Sequence, residues 1–332
     1  MIRIITDSVA SIPMALAEEL NIKVVSLYVN RDGVEYRDAD MDHDEFYRDI
    51  YDMVNNIPIS SQPSQLEMEE AFEEAAEAGD SALGVFLSSR MSGTYDAAVR
   101  AARIVASHYP DFEYRLVDSM SNSFDEAWPI MEAVAARDVG EDLDSCEKAA
   151  LRAIPRTRFL FSPETLTFLH KGGRIGGAAA LLGNMIQLAP ILTVRDGEAT
   201  TFAKVRSRKK ALDKMATSFK ADIDAYGLRD VVVHYIGDKE PAIKWAKDVI
   251  SPMVGRTVGV VPVSPVIGLH VGPAVGLAYE CEKPIPGKIT HGVDESIALR
   301  LAAALSERIE SRLPDLPDLT KLKSRILHDL ER

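Results

Sequence analysis

Several things are scarce in this chain, and each shortage removes a class of function. Cysteine occurs twice in 332 residues, at Cys146 and Cys281, with no metal-ligand spacing. The pair reads as reduced thiols of a cytosolic protein, although sequence alone leaves a bridge between them open. No apolar run approaches the roughly 20 residues of a membrane-spanning helix. The opening Met1-Ile2-Arg3-Ile4-Ile5-Thr6-Asp7 reads as a strand entering a loop, without the charged and apolar regions of a signal peptide. Basic charge is also short: 38 Lys and Arg against 51 Asp and Glu leave a net charge of −13. That balance argues against nucleic acid, whose phosphates need a basic face. The chain also has no G-x-x-x-x-G-K-[ST] nucleotide loop, no G-x-S-x-G elbow and no H-E-x-x-H metal pattern. The expectation is a soluble cytoplasmic protein with no metal and no cofactor.

What is present is an ordinary globular composition, 46% hydrophobic and 27% charged, long enough for two domains each with its own core. The first half alternates strands and helices. Strands are predicted at Ile2–Thr6, Ile22–Val29, Leu83–Leu87 and Tyr114–Val117. Helices are predicted at Pro13–Leu20, Glu45–Asn55, Ser64–Ala78, up to Val105, Glu126–Ala136 and Leu143–Ala153. That alternation predicts a parallel sheet covered on both faces. The second half mixes its elements differently. A hairpin is predicted from Ile191–Val194 and Thr200–Lys204 across Arg195-Asp196-Gly197-Glu198, then a helix over Arg208–Ala225 and a strand at Asp230–Ile236. A helix at Ala242–Ile250 and strands at Val258–Val263 and Leu277–Tyr279 follow, with Gly268–Gly276 between the two strands. This half reads as an α+β domain with a more antiparallel sheet.

Two stretches carry candidate chemistry. In Lys171-Gly172-Gly173-Arg174 a basic pair brackets two glycines, ahead of an almost charge-free run from Ile175 to Val194. Glycines beside cations often host anions, but no clear strand precedes these and the spacing is wrong for a nucleotide loop. Composition favours a tight joint between domains, followed by a short buried helix over Gly177–Gln187. The second feature is a set of hydroxyl-rich loops, most of them just after predicted strands: Thr6-Asp7-Ser8, Ser60-Ser61-Gln62-Pro63-Ser64, Ser88-Ser89 with Ser92-Gly93-Thr94, and Asp118-Ser119 with Ser121. Loops at the carboxyl ends of parallel strands meet in a crevice where ligands bind. Taken singly, each serine is explained by helix capping; as a set, they point to a shared site for an anionic oxygen ligand.

With these stretches in view, the chain resembles the DegV family of fatty-acid-binding proteins. The resemblance rests on Thr6-Asp7-Ser8, Ser61-Gln62-Pro63-Ser64, Ser92-Gly93-Thr94-Tyr95, Val117-Asp118-Ser119, Lys171-Gly172-Gly173-Arg174-Ile175, Pro190-Ile191-Leu192, Lys204-Val205-Arg206 and His270-Val271-Gly272-Pro273. They fall in the family's order over about residues 1–280. The resemblance implies an α/β protein of two domains, an N-terminal three-layer α/β/α domain with a parallel sheet (1–160) and a C-terminal α+β domain with a mixed or antiparallel sheet (161–282). A helical extension (283–332) would follow, with helices at Glu295–Arg312 and Leu319–Leu330. It also implies one long-chain fatty acid held between the domains with its tail in an apolar tunnel. Some family members are the acyl-carrying subunit of a bacterial fatty-acid kinase, whose separate ATP-binding subunit phosphorylates the carboxylate for phospholipid synthesis.

By that resemblance Ser60, Ser92 and His270 would hold the head group, with serine at position 60 where the family commonly has threonine. Arg174 and Arg206 would meet the phosphorylated head or dock the kinase subunit. Asp7, Ser8, Ser61, Gly93, Thr94, Asp118, Ser119 and Gly272 would support the loops. The chain itself would be a non-catalytic lipid-binding subunit. Ala178–Ile191 and Val263–Leu269 would form part of the tunnel wall. Two departures bear on the ligand: Asn122-Ser123-Phe124-Asp125-Glu126 stands where the family usually runs through small residues and glycines, and Gly272-Pro273-Ala274 replaces Gly-Pro-Gly. A regulatory lipid sensor, or a hydrolase or transferase using Ser60 or Ser92 with His270, are the alternatives from other classes.

Overall fold

The computed structural model describes residues 1–288, and within them every side chain except those of residues 183–187. The helices expected at Glu295–Arg312 and Leu319–Leu330 lie outside the described residues. Met1–Lys288 forms one compact unit.

Seven strands build the first half: β1 (Ile2–Asp7), β2 (Ile22–Val25), β3 (Tyr28–Arg31), β4 (Val34–Arg37), β5 (Ile59–Ser61), β6 (Ser81–Phe86) and β7 (Tyr114–Asp118). Four of them make an all-parallel sheet in the order β2-β1-β6-β7. Helices Gln65–Glu77 and Thr94–His108 cover one face, burying Met68, Phe72, Ala98 and Ala102 against Ile5 and Phe86. Helices Phe124–Asp138 and Leu143–Ala153 pack together against the same sheet. Near-continuous apolar strands such as Ser81–Phe86, buried from Ala82 onward, are what a sheet covered on both sides requires. The Gln65 helix starts in a capping box, with Ser64 and Glu67 each bonding the other's backbone.

The expected strand Ile22–Val29 is in fact two. The chain turns out of the parallel sheet at Ser26-Leu27, where the Leu27 N–H goes to Ser8 Oγ (3.1 Å) and Ser26 Oγ accepts from Ala39 N–H (3.1 Å). Its continuation, β3, pairs with β4 and β5 in a separate antiparallel sheet of three strands. Side-chain hydroxyls that capture backbone N–H groups end ladder pairing even where the apolar pattern continues. The helix expected at Glu45–Asn55 stops early, covering His43–Tyr47 and resuming only as a turn at Asp52–Val54.

The second half is built on β8 (Thr157–Pro163), β9 (Ala189–Arg195), β10 (Glu198–Val205), β11 (Asp230–Ile236), β12 (Gly259–Pro262) and β13 (Ala274–Glu280). Its sheet runs β10-β9-β8-β13-β11-β12, with β11 and β12 parallel and the other pairs antiparallel. The hairpin β9–β10 turns on Asp196-Gly197, both at positive φ (49° and 78°), the two-residue connection that matches strand twist. Among the described residues no helix is long and apolar enough to cross a membrane.

Three expectations in this half need correction. A strand does precede Lys171-Gly172-Gly173-Arg174: β8 lies in the middle of the sheet, and a short helix, Thr167–Lys171, separates it from the glycines. Gly177–Gln187 is not a buried helix but part of a run of tighter 3₁₀ turns over Gly176–Gln187 that buries Ala178 and Leu181 and leaves Ala179, Ala180 and Leu182 exposed. Gly176 has φ +47°, and a Cβ there would meet the Ala199 carbonyl oxygen at 2.6 Å, so these turns lie too close to β10 for any side chain but hydrogen. Finally, the expected Gly268–Gly276 connection is half helix: Pro265–Val271 starts with proline in its first turn and ends at Gly272.

Candidate functional site

Strand order reverses between β1 and β6, the switch point at which open α/β sheets bind ligands. A cavity of about 340 Å³ lies beyond the carboxyl ends of these strands. Val9, Leu87 and Asn122, each shortly past the end of β1, β6 or β7, form one side of it. Phe161 of β8, Val194 and Ala199 of the hairpin, and Val266, Ile267 and Val271 of the Pro265 helix form the rest of a largely apolar wall. The volume lies at the lower end of the roughly 300–1,000 Å³ usual for small-molecule sites. The Pro265 helix is held from outside by Tyr47, whose hydroxyl donates to Val263 O (2.7 Å) and whose ring packs on Gly268. The hairpin tip is tied to the β6 loop by Ser88 Oγ donating to Gly197 O at 2.8 Å.

Polar residues gather at one end, where the cavity meets a surface groove of about 320 Å³. Ser60, Arg174 and His270 line both spaces. Ser60 is brought there by β5, which pairs with β3 through Val29. Its Oγ is 2.8 Å from His270 Nε2. Burial, followed by the nearby Arg174, pushes the His270 pKa down to about 4, so the ring is neutral at pH 7. Its Nδ1 is buried without a partner and faces Gly172, where even a methyl group would collide with it. A hydrogen on Nδ1 would therefore be an orphaned donor, whereas a bare lone pair is the lesser cost. We accordingly assign the hydrogen to Nε2, which donates to Ser60 and leaves the Ser60 O–H to donate into the cavity.

Arg174 is held by its own loop and by the one opposite, with Nη1 donating to Gly172 O (2.8 Å) and Nε to Met91 O (3.2 Å). Lys171 does not reach the cavity; its Nζ donates to Val54 O across the groove at 2.9 Å. The Lys-Gly-Gly-Arg stretch thus does two jobs: its cations brace the mouth, and its first glycine leaves room for the imidazole.

The structure brings together Ser60, Ser61, Ser92, Gly93, Arg174 and His270 around this cavity. Ser92 also serves its helix, accepting from the Thr94 N–H at 3.3 Å and bonding Thr94 Oγ1 at 2.9 Å. Thr94 itself is buried behind it. Gly93 packs on Gln62, whose Oε1 would be 2.5 Å from a Cβ.

The remaining candidates lie elsewhere. Asp7 is fully buried and accepts from Val9 N–H and Leu87 N–H, both at 2.9 Å, while burial raises its pKa to about 7. Asp7 and Ser8 line a different, acidic cavity with Asp38 and His43. Asp118 ties loops together through Met120 N–H (2.8 Å) and Ser89 N–H (3.3 Å), and the buried Ser119 Oγ accepts from Ser121 N–H at 3.1 Å. Gly272, at φ +73°, ends the Pro265 helix with its α-carbon against the Phe168 ring. Arg206 is exposed in the turn after β10 and does not line the cavity. Of the expected wall, Val266 and Ile267 are present but no described side chain of Ala178–Ile191 is. Gln62, Met91, Asn122, Leu169 and Phe161 are lining residues that sequence reasoning missed. Of these, Gln62 and Asn122 stood inside stretches already singled out. Among the described residues no cluster of His, Cys, Asp and Glu could hold a metal ion.

The fold is thus an α/β body whose switch point holds a largely apolar cavity, with Ser60, His270 and Arg174 where it meets the groove. The chain belongs to the DegV family: the family described as "Uncharacterised protein, DegV family" matches residues 1–282. A DegV domain-containing protein of Clostridium acetobutylicum is 37% identical over 283 residues, covering 85% of this chain and 98% of the relative. Among solved structures, a DegV family protein of Thermus thermophilus described for its fatty-acid binding is 29% identical, with a TM-score of 0.73 over 84% of this chain and 99% of the other. A stearic-acid-binding protein of Eubacterium ventriosum is 26% identical, with a TM-score of 0.76 over 85% of this chain and 99% of the other.

Proposed function

We propose that this protein binds one long-chain fatty acid, its tail in the cavity and its carboxylate at the Ser60–His270 mouth. The single observation that carries this reading is the polarity of the cavity: a mostly apolar interior with Ser60, His270 and Arg174 gathered where it opens to the groove. The fatty-acid-binding relatives support it by analogy. At about 0.8 kcal/mol per buried methylene, a tail of about fourteen methylenes contributes roughly 11 kcal/mol before the costs of association. The tail therefore supplies affinity while the mouth supplies orientation. Ser60 O–H and Ser92 O–H donate to the carboxylate, and Arg174 keeps it ionised against the pull of burial.

The carboxylate would lie at the groove rather than deep inside, so a second protein can reach it. We infer that it is presented to a separate ATP-binding kinase subunit, with Arg174 beside the reacting oxygen and Arg206 on the docking face. The protein itself would be non-catalytic and cytoplasmic, and its bound ligand would serve phospholipid synthesis. The Ser60–His270 pair has the spacing of a nucleophile and base, but His270 Nδ1 meets Gly172 instead of a carboxylate that would orient it. Donation to a bound acid is the role that fits.

Solvent extraction of the purified protein followed by mass spectrometry tests the reading. A stoichiometric long-chain acid is expected in the extract; a protein that yields none and takes up none when offered it would overturn the proposal. Turnover of an acyl ester by the protein alone would point to the hydrolase instead.

A further inference from the structure

The match to the family ends at residue 282, and shortly beyond it Lys288 carries its ammonium group back into the body of the protein. Its Nζ donates to Asp125 Oδ1 at 2.7 Å and also to Oγ1 of Thr157, the first residue of β8. Asp125, fully buried in the first turn of the Phe124 helix, accepts on Oδ2 from Ser121 Oγ. A buried ion pair adds little stability over two apolar side chains of similar size. What it supplies that they cannot is a directed hold on one carboxylate.

That carboxylate sits beside a segment that needs holding. Met120 and Ser123 have positive φ (54° and 55°), a conformation that residues with side chains rarely adopt and keep only where their neighbours impose it. Ser121 O accepts from Ser88 N–H at 2.8 Å, Ser123 N–H donates to Val9 O at 2.9 Å, and Ser121 Oγ is fixed by Asp125. Between the two serines stands Asn122, part of the cavity wall. Its Nδ2 donates to Met91 Sδ at 3.2 Å, and Met91 O accepts from Arg174 Nε, also at 3.2 Å. A continuous line of covalent and hydrogen bonds thus runs from Lys288 through Asp125, Ser121, Asn122 and Met91 to the arginine at the mouth.

Resting on the reading of this cavity as a fatty-acid site, we propose that Lys288 is a positioning residue for the bound acid: through Asp125 and Ser121 it holds the wall at Asn122 and, beyond it, Arg174. Lys288 does not line the cavity. A residue past the family match thereby sets the affinity of a site that it never touches.

The test uses the full chain, stripped of lipid and titrated calorimetrically with octadecanoic acid at a temperature where circular dichroism shows every variant folded. Lys288→Met is expected to weaken binding about fivefold, within the range for residues that act through a chain of contacts. Ser121→Ala keeps the ion pair and cuts only its link to the wall; it is expected to weaken binding as much, and it decides alone if the lysine variant misfolds. A loss of stability by itself leaves the affinity of the folded protein unchanged, so the shift separates positioning from mere support. In an Asn122→Ala background either change should cost less than about twofold more, because the route is already cut. Either folded variant binding within about twofold of the wild type would overturn the inference while the fatty-acid reading stands. A full loss on top of Asn122→Ala would overturn it too, since the effect would then bypass that residue. A wild type that takes up no acid would sink the fatty-acid reading and this inference together.

Discussion

Gly172→Ala tests how the mouth is built. Gly172 has ordinary right-handed backbone geometry (φ −78°), so alanine is conformationally welcome and on backbone grounds would stabilise the fold by about 0.4–1 kcal/mol. Its methyl group, however, would overlap His270 Nδ1 and lie 3.0 Å from the Phe168 carbonyl oxygen. The carbonyl is backbone and cannot move cheaply, so the imidazole has to shift. Overpacking of this kind costs about 1–3 kcal/mol, and loss of the Ser60 bond at 2.8 Å adds about 0.5–1.5 kcal/mol. Net destabilisation of about 1–3 kcal/mol is expected in urea unfolding of the lipid-free protein. Affinity for a long-chain acid should fall by about tenfold or more, because Ser60 loses the partner that aims its hydroxyl at the carboxylate. A variant as stable as the wild type that binds the acid equally well would refute the claim that this glycine makes room for a head-group histidine.

Four further outcomes follow from the same geometry. Ser92→Ala should weaken retention of the acid about tenfold, the value of one hydrogen bond to a charged group, and competition binding reads it. Arg206→Ala should leave acid affinity within about twofold, as a surface change remote from the cavity should, while slowing phosphorylation by a kinase subunit; weakened binding of free acid would place Arg206 wrongly. Gly272→Ala forces alanine to φ +73° and into the Phe168 ring, and a stability loss of about 2 kcal/mol or more in urea titrations is expected. The last concerns pH. Folded His270 titrates near 4 against an ordinary 6.5, so below pH 6.5 the unfolded chain takes up a proton that the fold refuses. Stability of the lipid-free protein should fall as pH drops from 6.5 towards 4, by on the order of 2 kcal/mol at pH 5 from this residue. His270→Gln should remove that share; an unchanged pH 7-to-5 difference would show that the ring is not held neutral by burial.

Much of the fold was legible because local pattern and tertiary demand agreed. β1, β6, β7 and β11 are apolar runs bounded by turn residues, and Asp196-Gly197 is a hairpin turn by chemistry alone. The failures share a cause: structure decided by contacts distant in sequence. β8 follows Pro155, ends on Pro163 and carries Arg158, so it looks like a connection, yet β9 and β13 pair with it on either side. The break after β2 depends on hydroxyls of Ser8 and Ser26 finding the right N–H groups. The Pro265 helix contains a glycine that is unfavourable for helix formation but is required by the Tyr47 ring against it.

The site divides along the same line, and the division explains which serines matter. Hydroxyl-rich loops after strands announced a shared site, but the signal could not separate hydroxyls that reach a ligand from those that hold the loops still. Asp7, Asp118 and Ser119 spend their hydrogen-bonding capacity on backbone N–H groups of neighbouring loops. Ser60 differs because its histidine partner occupies only the acceptor side of the hydroxyl, leaving the hydrogen for something else. That asymmetry comes from a ring whose other nitrogen faces a glycine, so the chemistry at position 60 is set by residues 172 and 270. A pattern confined to one loop carries no trace of it. If the hydrogen on His270 were instead on Nδ1, Ser60 would donate to Nε2 and have no hydrogen left for a carboxylate. Nitrogen-15 chemical shifts of the lipid-free protein distinguish the two tautomers, and a protonated Nδ1 would remove Ser60 as a donor to the head group.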